Sequence, residues 1–285
     1  MNLSRSSLYA SALREELQIK GCVDLAAVAE EFRLSIRELP LAGCDGALLR
    51  SSIDSRGIIA VNSSIREFGR KRFTVAHEIG HRVLHGASAA CSPSDVGNWS
   101  ADAKQIEKAA DEFAAELLLP SKEIGAVINS RSPSLQNIQS VAQEYQASLS
   151  ASARRFCDLV GTPCAVIWST NEVIQWSRKS DSFRFFLQRG VKVPPASYAM
   201  AAYKGKEVPD DPEPVAANEW IESGRLLDGA EVWEQSLGLR SYDSVITLLW
   251  LKREIAREEG HEDSLLEELD PEEFTLRRRH WPGKR

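Results

Sequence analysis

Apolar residues along this chain follow two rhythms, one of period three to four and one of period two. Tyr9, Leu13, Leu17 and Ile19 make one amphipathic helical stretch, with Gly21 placed to stop it. Leu25, Val28, Ala29 and Phe32 make a second, which Asp24 can cap. Ser35-Ile36-Arg37-Glu38-Leu39 then alternates as a strand does, and two further strand-like runs, 46–50 and 57–62, meet at a turn near Asp54-Ser55. Helical spacing returns with Phe73, Val75, Ala76, Ile79, Val83 and Leu84, and again with the stripe Ile106, Ala110, Phe113 and Leu117, which Pro120 ends. Residues 87–102, rich in alanine and serine, read as the loop between these two helices. Leu135, Ile138, Val141, Tyr145, Phe156 and Leu159 give two more helices, with Gln146 where the turn of a helix-turn-helix usually carries glycine.

From Pro163 the period shortens. Cys164-Ala165-Val166-Ile167-Trp168 and Val173-Ile174-Gln175-Trp176 read as a hairpin across Thr170-Asn171. A basic stretch with Phe183, Phe185 and Phe186 follows, then a Pro- and acid-rich loop over 205–214, a helix over 220–227 and a buried strand over 242–252. The acidic run 258–273 reads as a solvated helix or tail.

Composition narrows the class. The chain has 285 residues, 43% of them hydrophobic and 27% charged, with net charge −6, as expected of a soluble globular protein with two domains rather than one. No apolar run is long enough for a membrane span, and residues 1–7 lack an apolar signal core. The five cysteines, at 22, 44, 91, 157 and 164, form no close-spaced motif, which suggests reduced thiols in a cytoplasm. The net acidity argues against bulk nucleic-acid binding unless a local basic patch overrides it.

The chemistry concentrates in one helix. His77-Glu78-x-x-His81 puts two imidazoles on one helical face and turns Glu78 about 100° away, beside a shared metal rather than on it. That is the spacing of zinc peptidases with glutamate as general base. Such a site wants three protein ligands. His85 continues the series but lies about 12 Å from His77 along an unbroken helix, so it reads as a packing residue or a supporting partner of a ligand. On the second helix Glu107 and Asp111 sit four apart, amid small alanines. Glu107 could bind zinc while Asp111 holds the free ring nitrogen of a ligating histidine, and Glu112 and Glu116 read as surface acids.

These blocks carry a resemblance. Arg72-Phe73-Thr74-x-Ala76-His77-Glu78-x-Gly80-His81-x-x-Leu84-His85, followed by Glu107-x-x-Ala110-Asp111-x-Phe113-Ala114-x-x-Leu117-Leu118-x-Pro120, resembles the ImmA/IrrE family of zinc metallopeptidases. Asp45-Gly46-Ala47-Leu48-Leu49 and Gly57-Ile58-Ile59-Ala60-Val61-Asn62 resemble the family's strand pair. The resemblance implies one zinc ion on His77, His81 and Glu107, with Glu78 catalytic. It implies as substrate a helix-turn-helix (XRE-type) repressor, cleaved to release a stress, DNA-damage or anti-phage response. The expected fold is α+β: a zincin-like peptidase domain (1–130), a helix-turn-helix-like helical segment (131–162), and a GAF-like α/β sensor domain (163–285).

Three finer expectations follow. The 134–160 helices read as a packed hairpin rather than a DNA reader, because 150–156 holds only two basic residues, Arg154 and Arg155. Cys91, in the loop, reads either as an inhibitory fourth zinc ligand, a device for which the resemblance makes the CapP-type relatives beside anti-phage operons candidates, or as a thiol without a role. Arg178, Lys179, Arg184, Arg189 and Lys192, interleaved with aromatics, suit single-stranded DNA as an activating ligand, with a small molecule as rival. The alternative to an active endopeptidase is a zinc-bearing, non-proteolytic sensor that binds a regulator or nucleic acid.

Overall fold

The computed structural model describes residues 3–50, 54, 56–85, 101–221, 230–239 and 243–251. The chain opens with α1 (Arg5–Glu16) and α2 (Leu25–Glu31). Ser4 caps the first through Ser7 N–H, and Asp24 caps the second through Ala26 and Ala27 N–H, as its position suggested. The buried stripe of α1 is rotated from the expected one: Ala10 and Leu13 face the core, whereas Tyr9 is exposed. The helix also stops before Gly21. Gln18 takes a left-handed φ of 54°, and Ile19 N–H bonds Arg14 O at 2.8 Å, closing the end.

Strands β1 (Leu34–Leu39), β2 (Gly46–Arg50) and β3 (Gly57–Asn62) form a sheet of order β1-β3-β2. β1 runs parallel to β3 and β2 antiparallel to it, so β2 is an edge. Helix α3 (Phe68–Leu84) packs against this sheet, and α4 (Ala101–Leu118) packs against α3. Their close approach centres on Gly80, where a Cβ would sit 3.2 Å from Phe113 and 3.3 Å from Ala110 Cα. Of the predicted stripe, Ala110, Phe113 and Leu117 of α4 are fully buried and Ile106 partly so; Ala114 is buried with them. Pro120 ends α4 and is the N-cap residue of α5 (Ser121–Asn129). Helices α6 (Leu135–Glu144) and α7 (Leu149–Leu159) follow, joined at Gln146, which takes the left-handed φ of 52° that glycine would adopt easily.

Beyond them lies a five-stranded antiparallel sheet. Its strands are β4 (Cys164–Thr170), β5 (Val173–Lys179), β6 (Glu213–Ala216), β7 (Glu231–Leu239) and β8 (Ser244–Trp250), in the order β5-β4-β8-β7-β6. The β4–β5 hairpin turns at Asn171 and Glu172, both left-handed at 50° and 65°. The two faces of the sheet serve different cores. Cys164, Val166, Ile246 and Leu248 join the core that contains α3 and α4, through Phe156 and Val160. Ala165, Ile167, Val245 and Leu249 join a second core with α8 (Tyr198–Tyr203), Phe183, Phe185 and Trp220. β6 falls partly inside the stretch read as loop, and only the first residues of the expected 220–227 helix are described, after a short helical turn over Ala217–Glu219. The acidic run 258–273 lies outside the described residues.

Candidate metal centre

The site is built where α3 crosses α4. One turn of α3 places His77 and His81 on the same face, their ring centroids 4.6 Å apart. Glu107 of α4 reaches both: its Oε2 lies 3.1 Å from His77 Nε2 and its Oε1 3.3 Å from His81 Nε2. The two Nε2 atoms are 2.9 Å apart. A tetrahedral ion about 2.0–2.1 Å from each ligand needs ligand atoms about 3.3 Å apart. Two imidazoles and one carboxylate, mutually separated by 2.9, 3.1 and 3.3 Å, fit such an ion. Among the described residues His77, His81 and Glu107 are the group that can hold a metal.

Charge and hydrogen bonding prepare the ligands. Burial pushes the Glu107 carboxyl upward, but the adjoining His77 and His81 rings outweigh it and hold the group well below the usual carboxylate range. It is therefore ionised near neutral pH. His77 Nδ1 lies 2.8 Å from Asp111 Oδ1, so Nδ1–H donates to that carboxylate and Nε2 keeps its lone pair for a metal. Asp111 takes the place foreseen for it, one turn along α4 from Glu107.

Glu78 sits beside the three. It is 3% exposed, and its Oε2 is buried with no hydrogen-bond partner among the described residues. Burial raises its pKa, and the charges of His77 and His81 oppose the rise. Gly46, at the start of β2, makes room for it: a Cβ there would lie 2.3 Å from Thr74 Cγ2 and 3.1 Å from Glu78 Oε1. No sequence signal had attached Gly46 to the site, although its segment was read as a strand.

His85 is the C-cap of α3. Its ring packs 5.7 Å from that of His81 and bonds the Ile106 backbone, which makes it a neighbour of a ligand rather than a ligand. Burial and the His81 charge hold its pKa below the ordinary imidazole value. Glu116 departs from its reading as a surface acid. It is 1% exposed and paired with the buried guanidinium of Arg155, and it accepts from Ser11 and Ser121. Burying a carboxylate requires such donors, and spacing along one helix cannot reveal them. Glu112 pairs with Lys108 at 3.7 Å, on the surface. Cys91 lies outside the described residues.

The five basic residues considered for nucleic acid lie on and after β5. Arg178 donates to Asp158 at 2.6 Å, Lys179 to Phe185 O at 2.6 Å, Arg189 to Gln175 O at 3.1 Å, and Lys192 pairs with Glu172 at 3.0 Å. Arg184 is exposed. Of the interleaved aromatics, Phe183 and Phe185 are core, whereas Phe186 is 67% exposed.

Comparison with known proteins agrees with this geometry. Residues 29–156 match the family model described as the IrrE N-terminal-like domain, a peptidase family. The radiation response metalloprotease IrrE of Deinococcus radiodurans is 29% identical over 137 residues, 48% of this chain and 40% of that protein. The chain thus spans well under half the length of that relative. A Mycobacterium tuberculosis transcriptional regulator superposes with a TM-score of 0.54 at 14% identity, over 87% of this chain and 77% of that one, a likeness of fold alone. Residues 29–156, which carry His77, His81 and Glu107, are thus similar to the IrrE N-terminal-like peptidase domain.

Proposed function

We propose that the protein is a zinc-dependent endopeptidase whose ligands are His77, His81 and Glu107 and whose general base is Glu78. The observation that carries this reading is the orphaned Glu78 carboxylate oxygen, buried beside three mutually close ligand atoms. When bound, zinc supplies Lewis acidity to the scissile carbonyl and acidifies the attacking water. Glu78 takes the water's proton and returns it to the leaving amine, a task suited to a carboxylate whose pKa burial has raised. Asp111 fixes the His77 tautomer, and His85 buttresses the His81 ring.

The substrate backbone adds as a strand to the free edge of β2. Support comes from the strand order, which puts β2 at the edge of the sheet among the described residues, and from Gly46, which brings β2 against Glu78. The substrate is a helix-turn-helix repressor, cleaved in the cytoplasm to release a stress, DNA-damage or phage response. In keeping with that site, no described helix is long and apolar enough to cross a membrane. Residues 163–285 serve as a GAF-like sensor. The five-stranded sheet with α8 and a core of its own supports this reading. Single-stranded DNA is its first candidate ligand, through Arg178, Lys179, Arg184, Arg189 and Lys192.

The test is incubation of the zinc-loaded chain with the helix-turn-helix protein encoded beside it. Fragments should appear with wild type and not with Glu78→Gln. An intact partner in both reactions, with and without single-stranded oligonucleotide, would favour the non-proteolytic scaffold instead.

A further inference from the structure

A groove of about 380 Å³ runs between α4 and α7. Two of its lining residues neighbour His77. Asp111, which holds His77, lines it, as does Phe73, whose ring centroid is 6.4 Å from that of His77. Its floor is apolar, from Ala115, Leu118 and Ala151. From Ser148 to Asp158 the α7 wall is about 15 Å long, room for about four or five residues of extended chain.

The charges in this groove are nearly all accounted for. Arg155 is paired with Glu116, Arg178 with Asp158, Asp111 with His77 and Glu112 with Lys108. Arg154 differs. It makes no hydrogen bond or ion pair among the described residues, and its guanidinium is held 4.1 Å from the Trp176 ring centroid. Trp176 is itself stacked on Trp168 at 5.8 Å, so the platform beneath Arg154 is fixed. Partial burial and the nearby Arg178 charge disfavour the Arg154 cation, with Asp158 opposing them. A carboxylate from outside would relieve that, and a guanidinium fork binds a carboxylate bidentately.

We propose that this groove is a specificity subsite for the substrate chain, receiving an extended apolar segment beside the scissile bond with an acidic side chain on Arg154. The proposal rests on the peptidase reading above. A polypeptide fits better than a nucleic acid, because Asp111, Glu112 and Asp158 line the same groove and would repel a run of phosphates. A single carboxylate on Arg154 meets less of that repulsion, since Asp158 is already paired with Arg178 and Asp111 with His77.

The experiment exposes the zinc-loaded full chain to acetylated, amidated decapeptides of randomised sequence and reads the cut sites by mass spectrometry. Wild type should enrich Asp or Glu about ten- to a hundredfold at one fixed position from the cut, as a charge-assisted pair allows. Arg154→Glu should replace that preference with Lys or Arg. Arg154→Lys should keep an acidic preference, reduced because the bidentate fork is lost. The same cut-site pattern in wild type and Arg154→Glu, or no acidic preference in wild type, would overturn the proposal. If nothing is cut, the peptidase reading fails, and the groove is read by binding instead. Fluorescein-labelled acidic decapeptides should then bind wild type about tenfold tighter than their Asn/Gln counterparts, with the difference gone in Arg154→Ala. Equal binding of the two pools, or displacement of both alike by single-stranded oligonucleotide, would again overturn it.

Discussion

Replacing Gly46 with alanine should damage catalysis more than stability. The φ of Gly46 is not in the left-handed region, so what the position needs is space. The new Cβ would lie 2.3 Å from Thr74 Cγ2, where carbon atoms normally rest about 3.5–4.0 Å apart, leaving about 1.2–1.7 Å to be made up. Neither side yields easily. Gly46 is held by its pairing with Val61, and Thr74 is buried with its hydroxyl donating to Arg70 O at 3.1 Å. Overpacking of this kind costs about 1–3 kcal/mol. The same Cβ would press on Glu78 Oε1 at 3.1 Å, and displacing a catalytic group by about 1 Å can cost roughly 100-fold in rate. The assay is a thermal melt beside cleavage kinetics for Gly46→Ala, Thr74→Ser and the double variant. Serine removes Cγ2, so the double variant should regain most of the stability but only part of the rate, because the Glu78 contact persists. A Gly46→Ala protein with wild-type melting and rate, or no rescue of stability by Thr74→Ser, would refute the packing argument.

Four further outcomes are expected. Glu78→Gln should keep its metal and its melting temperature while cleavage falls by about 10²–10⁴-fold, measured on the partner repressor. Zinc content should collapse in Glu107→Ala and remain in Glu112→Ala; equal zinc in the two would remove Glu107 from the ligand set. Cys91→Ser should cleave without an activating signal if that thiol restrains the metal, and wild-type and variant rates that match would end the idea. For Glu123, burial raises the carboxyl pKa, but Gly21 N–H, Arg14 and the Tyr145 hydroxyl outweigh it and leave the pKa lowered from 4.5. A lowered folded value gives stability that is present above pH 4.5 and lost as pH falls through the folded pKa, so wild type should lose melting temperature below pH 4.5 faster than Glu123→Gln.

The clustering of His77, His81 and Glu107 was legible because its information is local. Two histidines four apart, a glutamate between them, and a Glu107–Asp111 pair four apart each declare a helical face, and one close crossing at Gly80 brings the faces together. The 46–50 and 57–62 strands and the 164–179 hairpin were legible for the same reason. What escaped is held by distant partners. Glu116 reads as polar surface until Arg155, 39 residues later, is folded onto it. β7 reads as no strand at all because Glu234-Gln235-Ser236 interrupts the alternation. Each of those polar groups is nevertheless buried and served from elsewhere. Glu234 accepts from Ala199 N–H and Trp220 Nε1–H, while Gln235 accepts from Leu135 N–H and so fastens α6 to the sheet. Buried polar groups need such partners, and a single-chain pattern cannot see them.

The same reasoning decides what α6 and α7 are. A recognition helix must keep one face free to enter a major groove about 12 Å wide. Most of α7 is already committed, and its exposed Arg154 lies in the groove beside α4. Ala153, Phe156 and Cys157 are in the core, Arg155 is folded inward onto Glu116 and Leu119 O, and Arg154 lies across Trp176 of the second sheet. At its start, the backbone of Ala147 and Ser148 lies so close to Gly69 of α3 that a Cβ there would come within 2.3 Å of Ser148 N. A helix clamped between α3, α4 and β5 cannot leave for DNA without exposing Phe156 and orphaning the Glu116 carboxylate, a loss of several kcal/mol by the usual cost of an uncompensated buried charge. At Gln146 the pair shares the turn geometry of a helix-turn-helix, while its contacts brace α3 and α4 against the second sheet.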